Sequence, residues 1–287
     1  MRVLMIHKTH KGGVGIHVKE ISENLRKRGI EVTEITRNED LRMYSFLYSY
    51  FKMKYLFSKW SKEYDIIHTH DWSITYPAIK ANVKNLVATF HAFPTNPIAS
   101  IFQNYCIKKL KNRAITISPK MKRVYKFSTY IPNGVNLQIF RKFRSIKRRE
   151  NLVGLAQKYN LEKIIKVLKS LKFPYNYTEG KLKYEDLGKF YSTIEIFISI
   201  PYQQAGFNMV WLEAMACEVP YIIGTNAGIG EILPIYKVNS VEKLKEILKK
   251  IKDRKLEPLK NQRKWIIENK LTWEEHVNKL IEVYELI

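Results

Sequence analysis

The residues best placed to do chemistry lie between Pro201 and Ala216. An apolar run, Ile194–Ile200, leads into Ala205-Gly206-Phe207-Asn208, and a helical pattern beginning at Met209 carries Glu213. A glycine lets backbone N–H groups close on an anion, and the start of the following helix adds unpaired N–H groups and a partial positive charge. Gly206, Phe207 and Asn208 therefore read as a corner for a diphosphate. Glu213 sits among Trp211, Leu212, Ala214 and Met215. A carboxylate in such company costs free energy unless it is bonded. The hydroxyls of a ribose would bond it, as would a neighbouring backbone group or a lysine.

A second glycine corner, Lys11-Gly12-Gly13-Val14-Gly15, separates an apolar run from an amphipathic stretch with Val18, Ile21 and Leu25 on one face. The same backbone logic makes Gly12, Gly13 and Gly15 candidates for phosphate contact. The spacing is not G-x-G-x-x-G, so a dinucleotide site is not indicated, and a permissive strand-to-helix turn explains it equally. Three histidines follow apolar runs. His68 and His70, in Asp65-Ile66-Ile67-His68-Thr69-His70-Asp71, share a strand face. Spacing fixes no third ligand, so the pair reads as structural or polar-lining, and no metal is expected. His91, in Thr89-Phe90-His91-Ala92, can donate to a sugar hydroxyl or a phosphate; a loop histidine satisfied by its neighbours reads as well. Ile131-Pro132-Asn133-Gly134 marks a turn near a domain boundary.

Those corners need elements to hold them. Short apolar runs at 2–7, 30–35, 65–69, 86–90 and 114–117 alternate with helical patterns. The alternation resumes with strands near 152–154, 175–177, 194–200 and 221–223, and helices near 161–171, 184, 209–216, 241 and 272. Such a series predicts α/β architecture with parallel sheets wrapped by helices. The basic stretch Arg141–Arg149 reads as an inter-domain connector. A chain of 287 residues accommodates two domains, and ligands of open α/β sheets sit at the carboxyl ends of strands. No apolar stretch reaches the roughly 18 residues of a membrane span, and Arg2–Ile6 reads as a strand rather than a signal peptide. Cys106 and Cys217, both in apolar helical patterns, read as buried thiols, which points to a reducing, cytoplasmic setting.

Taken together and in order, these pieces resemble the family-4 retaining glycosyltransferases of the GT-B fold, in a shortened form. The resemblance rests on Gly12-Gly13-Val14-Gly15, Asp65 to His70, Thr89-Phe90-His91, Ile117-Ser118, Ile131 to Val135, and Gly206-Phe207 with Leu212-Glu213-Ala214-Met215-Ala216. Ala227-Gly228-Ile229-Gly230-Glu231 and Thr272-Trp273-Glu274-Glu275 extend it. It implies two Rossmann-like domains facing each other across a cleft: an acceptor-side domain over 1–145, a nucleotide-sugar-binding domain over 150–270, and a helix over 271–287 crossing back to the first. It implies a retaining, metal-independent, cofactor-free transfer from a UDP-, GDP- or ADP-linked sugar to an acceptor hydroxyl. By resemblance, Gly12, Gly13 and Gly15 approach phosphates or acceptor, His91 touches the transferred sugar, and Glu213 holds the ribose. The family's E-x7-E pattern would place its first glutamate at 205, where this chain has Ala205; Asn208 stands for a frequent glycine. The usual arginine after glycine is Leu155 here, which leaves Lys158 as the candidate phosphate lysine, with Lys163 or Lys181 as substitutes. A guanidinium is not replaced in kind by an ammonium. These departures motivate the alternative of a GT-B protein that binds nucleotide sugar with little or no turnover.

The formal net charge of +23 implies anionic partners but names none. Residues 42–62 interleave Tyr44, Phe46, Tyr48, Tyr50, Phe51, Tyr55, Phe57 and Trp60 with Lys52, Lys54, Lys59 and Lys62. The segment reads as a core helix with a solvated basic face or as a surface for anionic lipid at the inner face of the membrane. Nucleic acid is not expected, although a basic nucleic-acid-binding protein is the remaining alternative. The acceptor expected is a glycan, lipid or protein.

Overall fold

The computed structural model describes residues 1–43, 46–156, 160–202 and 205–287, with backbone only at 46–48. Lys158 lies outside the described residues. The chain divides into two compact units: residues 1–133 with 273–287, and residues 134–272.

In the first unit, six parallel strands stand in the order β2-β1-β3-β4-β5-β6. They are β1 (Arg2–His7), β2 (Glu31–Thr36), β3 (Ile66–His70), β4 (Leu86–Phe90), β5 (Ala114–Thr116) and β6 (Thr129–Tyr130). Helices α1 (Gly12–Arg26), α2 (Phe46–Trp60), α3 (Trp72–Lys80), α4 (Pro97–Leu110) and α5 (Pro119–Val124) alternate with them, and a C-terminal helix, Trp273–Tyr284, packs against α1. Every position of β3 and β4 is buried, as central parallel strands covered on both faces require. Register sets Ile6 opposite Thr69 and His70 opposite Thr89, so the carboxyl ends of β1, β3 and β4 come level. The C-terminal helix is tied down by Arg28, whose guanidinium donates to Asn278 Oδ1 at 2.7 Å, and by His276 Nδ1–H, which donates to the Pro132 carbonyl at 2.8 Å.

The second unit is also a parallel sheet, in the order β11-β10-β9-β7-β8. Its strands are β7 (Arg149–Leu155), β8 (Tyr175–Tyr177), β9 (Ile194–Ile198), β10 (Tyr221–Gly224) and β11 (Tyr236–Lys237). Its helices are α6 (Leu161–Ser170), α7 (Leu187–Thr193), α8 (Met209–Ala216), α9 (Val241–Lys252) and α10 (Gln262–Glu268). One apolar layer gathers Tyr191, Phe197, Trp211 and Phe140; the other gathers Ile164, Leu168, Leu248 and Ile196. The chain enters and leaves this unit side by side, with Val135 N–H donating to the Leu271 carbonyl at 3.0 Å.

The stretch Arg141–Arg149 is not a connector. Phe140 is fully buried in the second unit, Phe143 N–H donates to Ser192 Oγ at 3.0 Å, and Arg148 Nη1 donates to the Glu218 carbonyl at 3.0 Å. Arginine heads that satisfy backbone carbonyls look, in sequence, like solvated charge.

Candidate active site

The first unit gathers its polar residues where the strands end. The segments after β1 to β4, together with α1 and α4, enclose a cavity of about 500 Å³ lined by Lys8, Val14, Arg37, Asp71, Ser73, His91, Asn96 and Gln103. Lys8 follows β1, Arg37 follows β2, Asp71 follows β3 and His91 follows β4. The lining is thus a direct product of strand order. Arg37 Nη1 donates to Ser73 Oγ at 3.3 Å, and burial lowers its pKa against the opposing pull of Asp71. Asp71 has φ +83° and accepts from Trp72 N–H at 2.6 Å, which caps α3. Burial raises the Asp71 pKa, and that N–H, Lys8 and Arg37 oppose the rise.

Gly12 and Gly13 open α1. They are exposed, Gly12 has φ +74°, and nothing lies within 4 Å of where a Cβ would stand on either. The helix has no side-chain cap and no acid in its first turn, so its first N–H groups remain for an outside acceptor. Gly15 has a different reason: a Cβ there would collide with the His10 carbonyl. Its lack of a side chain is what lets the 8–11 loop fold back on α1.

His91 stands half-buried at the cavity edge, with Nε2 3.0 Å from His70 Nδ1 and its ring 4.6 Å from that of His17. Burial, then His276 and His7, lower its pKa to about 3, so it is neutral at ordinary pH. His68 is fully used, its Nδ1 2.8 Å from Tyr284 Oη and its Nε2 2.8 Å from Thr89 Oγ1. Its structural reading fits these partners. His17, on α1, and His276, on the C-terminal helix, complete the cluster. Each is distant in sequence from the strand motifs, and no local pattern marks it.

In the second unit, Gly206 and Asn208 are buried and Phe207 is half-buried against the core. Asn208 precedes α8, yet its side chain donates to Ser199 Oγ at 3.0 Å instead of capping the helix. Gly228, at φ +56°, packs against this corner: a Cβ there would stand 2.9 Å from the Gly206 carbonyl oxygen. The two glycine turns therefore touch backbone to backbone. Glu213 is only 3% exposed, and its Oε2 accepts from Tyr191 Oη at 2.8 Å. Burial, then Glu213, raise the Tyr191 pKa well above the usual phenol range, which keeps it a donor. Gly12, Gly13, Gly15 and His91 thus fall in the first unit, and Gly206, Phe207, Asn208 and Glu213 in the second.

Comparison with known proteins bears on what this arrangement belongs to. The family described as Glycosyltransferase Family 4 matches residues 11–139, and that described as Glycosyl transferases group 1 matches residues 137–251. An uncharacterised glycosyltransferase of Methanocaldococcus jannaschii is 26% identical over 239 residues, covering 76% of this chain and 67% of that protein. Among solved structures, MurG of Acinetobacter baumannii superposes with a TM-score of 0.57 at 11% identity, covering 100% of this chain and 99% of that one. S. aureus MnaA, solved with UDP, gives 0.54 at 10% identity, covering 98% and 95%. At these identities the superpositions speak for the fold. The two family matches run almost the length of both parallel-sheet units, and the chain belongs to the family-4 glycosyltransferases of the GT-B fold.

Proposed function

We propose that this glycosyltransferase is retaining and metal-independent and moves a sugar from a nucleotide-sugar donor to an acceptor hydroxyl. The observation that carries the reading is the cavity at the carboxyl ends of β1 to β4, where Lys8, Arg37 and neutral His91 line one space beside the uncapped start of α1. Cationic side chains and helix-start amides stabilise developing phosphate charge without reorganising, which is electrostatic preorganisation. His91 is assigned to the transferred sugar. Gly12, Gly13, Gly15, Gly206, Phe207, Asn208 and Lys158 are assigned to donor phosphates. Glu213 is assigned to the ribose, with Tyr191 orienting the carboxylate; an ionised carboxylate has lone pairs for both. The sugar would depart with oxocarbenium character and the acceptor enter on the same face, the leaving phosphate taking its proton. MnaA and an α-glucosyltransferase similar in fold were both solved with UDP, which makes UDP-sugars the first donors to screen beside GDP- and ADP-sugars.

The test is thermal shift against these nucleotides and sugars, followed by nucleotide diphosphate release with candidate acceptors and product anomer assignment by NMR. Inverted product, or activity abolished by EDTA, would remove the finer assignment. A second reading, donor binding without turnover, is favoured by Ala205 and Leu155 standing where the family pattern has an acid and an arginine; stabilisation by donor with no release would support it.

For the acceptor side we propose contact with anionic lipid. Met53, Phe57 and Trp60 bury one face of α2, while Phe51 and Tyr55 are 70% and 72% exposed beside Lys52, Lys54 and Lys59. Ile98 and Ile101 of α4 are similarly exposed. No helix among the described residues is long and apolar enough to cross a membrane.

A further inference from the structure

All seven histidines of the chain fall in the first unit, and their rings form one connected set. His10 lies 5.2 Å from His7, His7 6.3 Å from His70, His70 4.5 Å from His68, and His17 5.1 Å from His276, centroid to centroid. Within this set, hydrogen bonds sort the ring nitrogens. His17 Nδ1 lies 3.0 Å from Asn133 Oδ1, and His276 Nδ1 lies 2.8 Å from the Pro132 carbonyl oxygen. Those oxygens only accept, so each Nδ1 carries the proton and each Nε2 presents a lone pair. Neither Nε2 has a hydrogen-bond partner among the described residues, and His70 Nε2 has none either. His17, His70 and His276 are buried.

A buried neutral imidazole whose far nitrogen is fixed by a carbonyl-type acceptor is what a transition-metal ion selects, and of the proposed ligands His17 meets that description. The geometry narrows the set. One nitrogen from each of His17, His70 and His91 lies within 4.8 Å of the other two. Their ring centroids are 4.6, 5.4 and 5.3 Å apart. A tetrahedral ion with metal–nitrogen bonds of about 2.0–2.1 Å places three imidazole centroids roughly 5 Å apart. His70 Nδ1 and His91 Nε2 share a hydrogen bond of 3.0 Å, so one of the two carries the proton, and an ion held by both would shift that ring to its other tautomer. His91 borders the cavity, which gives an ion a route in.

We infer that His17, His70 and His91 form a binding site for a divalent transition-metal ion of the zinc type, and that the bound ion inhibits transfer by occupying His91. The inhibitory clause rests on the assignment of His91 to the sugar; the site itself does not. Asn133, which fixes the His17 ring, is a positioning residue.

The experiment titrates the EDTA-stripped full chain with Zn2+ by calorimetry and with Co2+ by visible absorption. One ion per chain and the intense spectrum of four-coordinate cobalt are expected. His17→Gln and His91→Gln should weaken binding by on the order of tenfold or more, and Asn133→Ala by roughly 10–100-fold. Asn133→Ala serves if a histidine variant fails to fold. Absence of stoichiometric binding overturns the proposal, as does a six-coordinate cobalt spectrum. So does loss of binding in His10→Gln rather than His17→Gln, which would put the ion at the other cluster, His7, His10 and Glu34. Binding with no transferase activity in any donor screen supports the site and counts against the proposed function alone. Binding that leaves measurable transfer unchanged overturns the inhibitory clause.

Discussion

Glu213 and His91 are each recognisable in the sequence from a carboxylate in an apolar helix and a histidine at a strand end, but their partners are not. Tyr191 lies 22 residues before Glu213, and only the packing of α7 against α8 brings the two together. This separates two substitutions. Glu213→Gln keeps an acceptor for Tyr191 and should melt close to the parent. Glu213→Ala leaves a buried phenol unpaired and should lose about 1–3 kcal/mol. Both should lose most of the stabilisation given by the preferred nucleotide, because each removes the charged acceptor proposed for the ribose. A folded Glu213→Gln protein with parental nucleotide affinity would end that role. The histidines teach the complementary lesson: His68 and His70 advertise themselves by spacing, whereas His17 and His276 enter the cluster only through tertiary contacts.

At the scale of elements, the alternation of strands and helices was readable nearly throughout, because buried parallel strands leave continuous apolar runs. The start of α1 was not. Its amphipathic pattern begins at Ile16, yet the helix begins at Gly12, since glycines carry no periodicity. The three glycines should accordingly respond differently. Gly15→Ala meets the His10 backbone and should cost about 1–3 kcal/mol, with the 8–11 loop displaced. Gly13→Ala meets nothing within 4 Å and should leave the melting temperature within about 1 °C, since a surface change of this kind is usually worth under 0.5 kcal/mol. Equal destabilisation by both would show that loop packing is not what Gly15 serves. On α2, the core reading and the lipid reading each describe one face. Phe51→Ser with Tyr55→Ser removes exposed rings and no core contact. Flotation with anionic vesicles should fall severalfold in that variant while the melt holds, and undiminished flotation would remove the lipid reading of α2.

Across the whole molecule, the uneven placement of histidine makes the two units differ in acid. His17 and His70 have pKa values well below the usual 6.5, and those of His68, His91 and His276 are lowered to about 3, 3 and 4, with burial as the leading cause in each. The unfolded chain takes up protons on these rings as pH falls through about 6.5, while the folded unit refuses them until far lower. The stability they permit is therefore complete above pH 6.5 and is lost as pH falls toward 4. Each ring removes roughly 1.4 kcal/mol per pH unit in that window, so three of them remove on the order of 10 kcal/mol between pH 6.5 and 4, a loss comparable with a typical domain stability of about 5–15 kcal/mol. Residues 134–272 contain no histidine and should keep their transition over the same range. Calorimetric scans of the EDTA-treated chain between pH 7.5 and 4.5 should resolve one transition that drops steeply and one that does not. A single transition independent of pH down to 5 would mean that the rings protonate within the fold, through water reaching the cluster, and that their burial is not what holds them neutral.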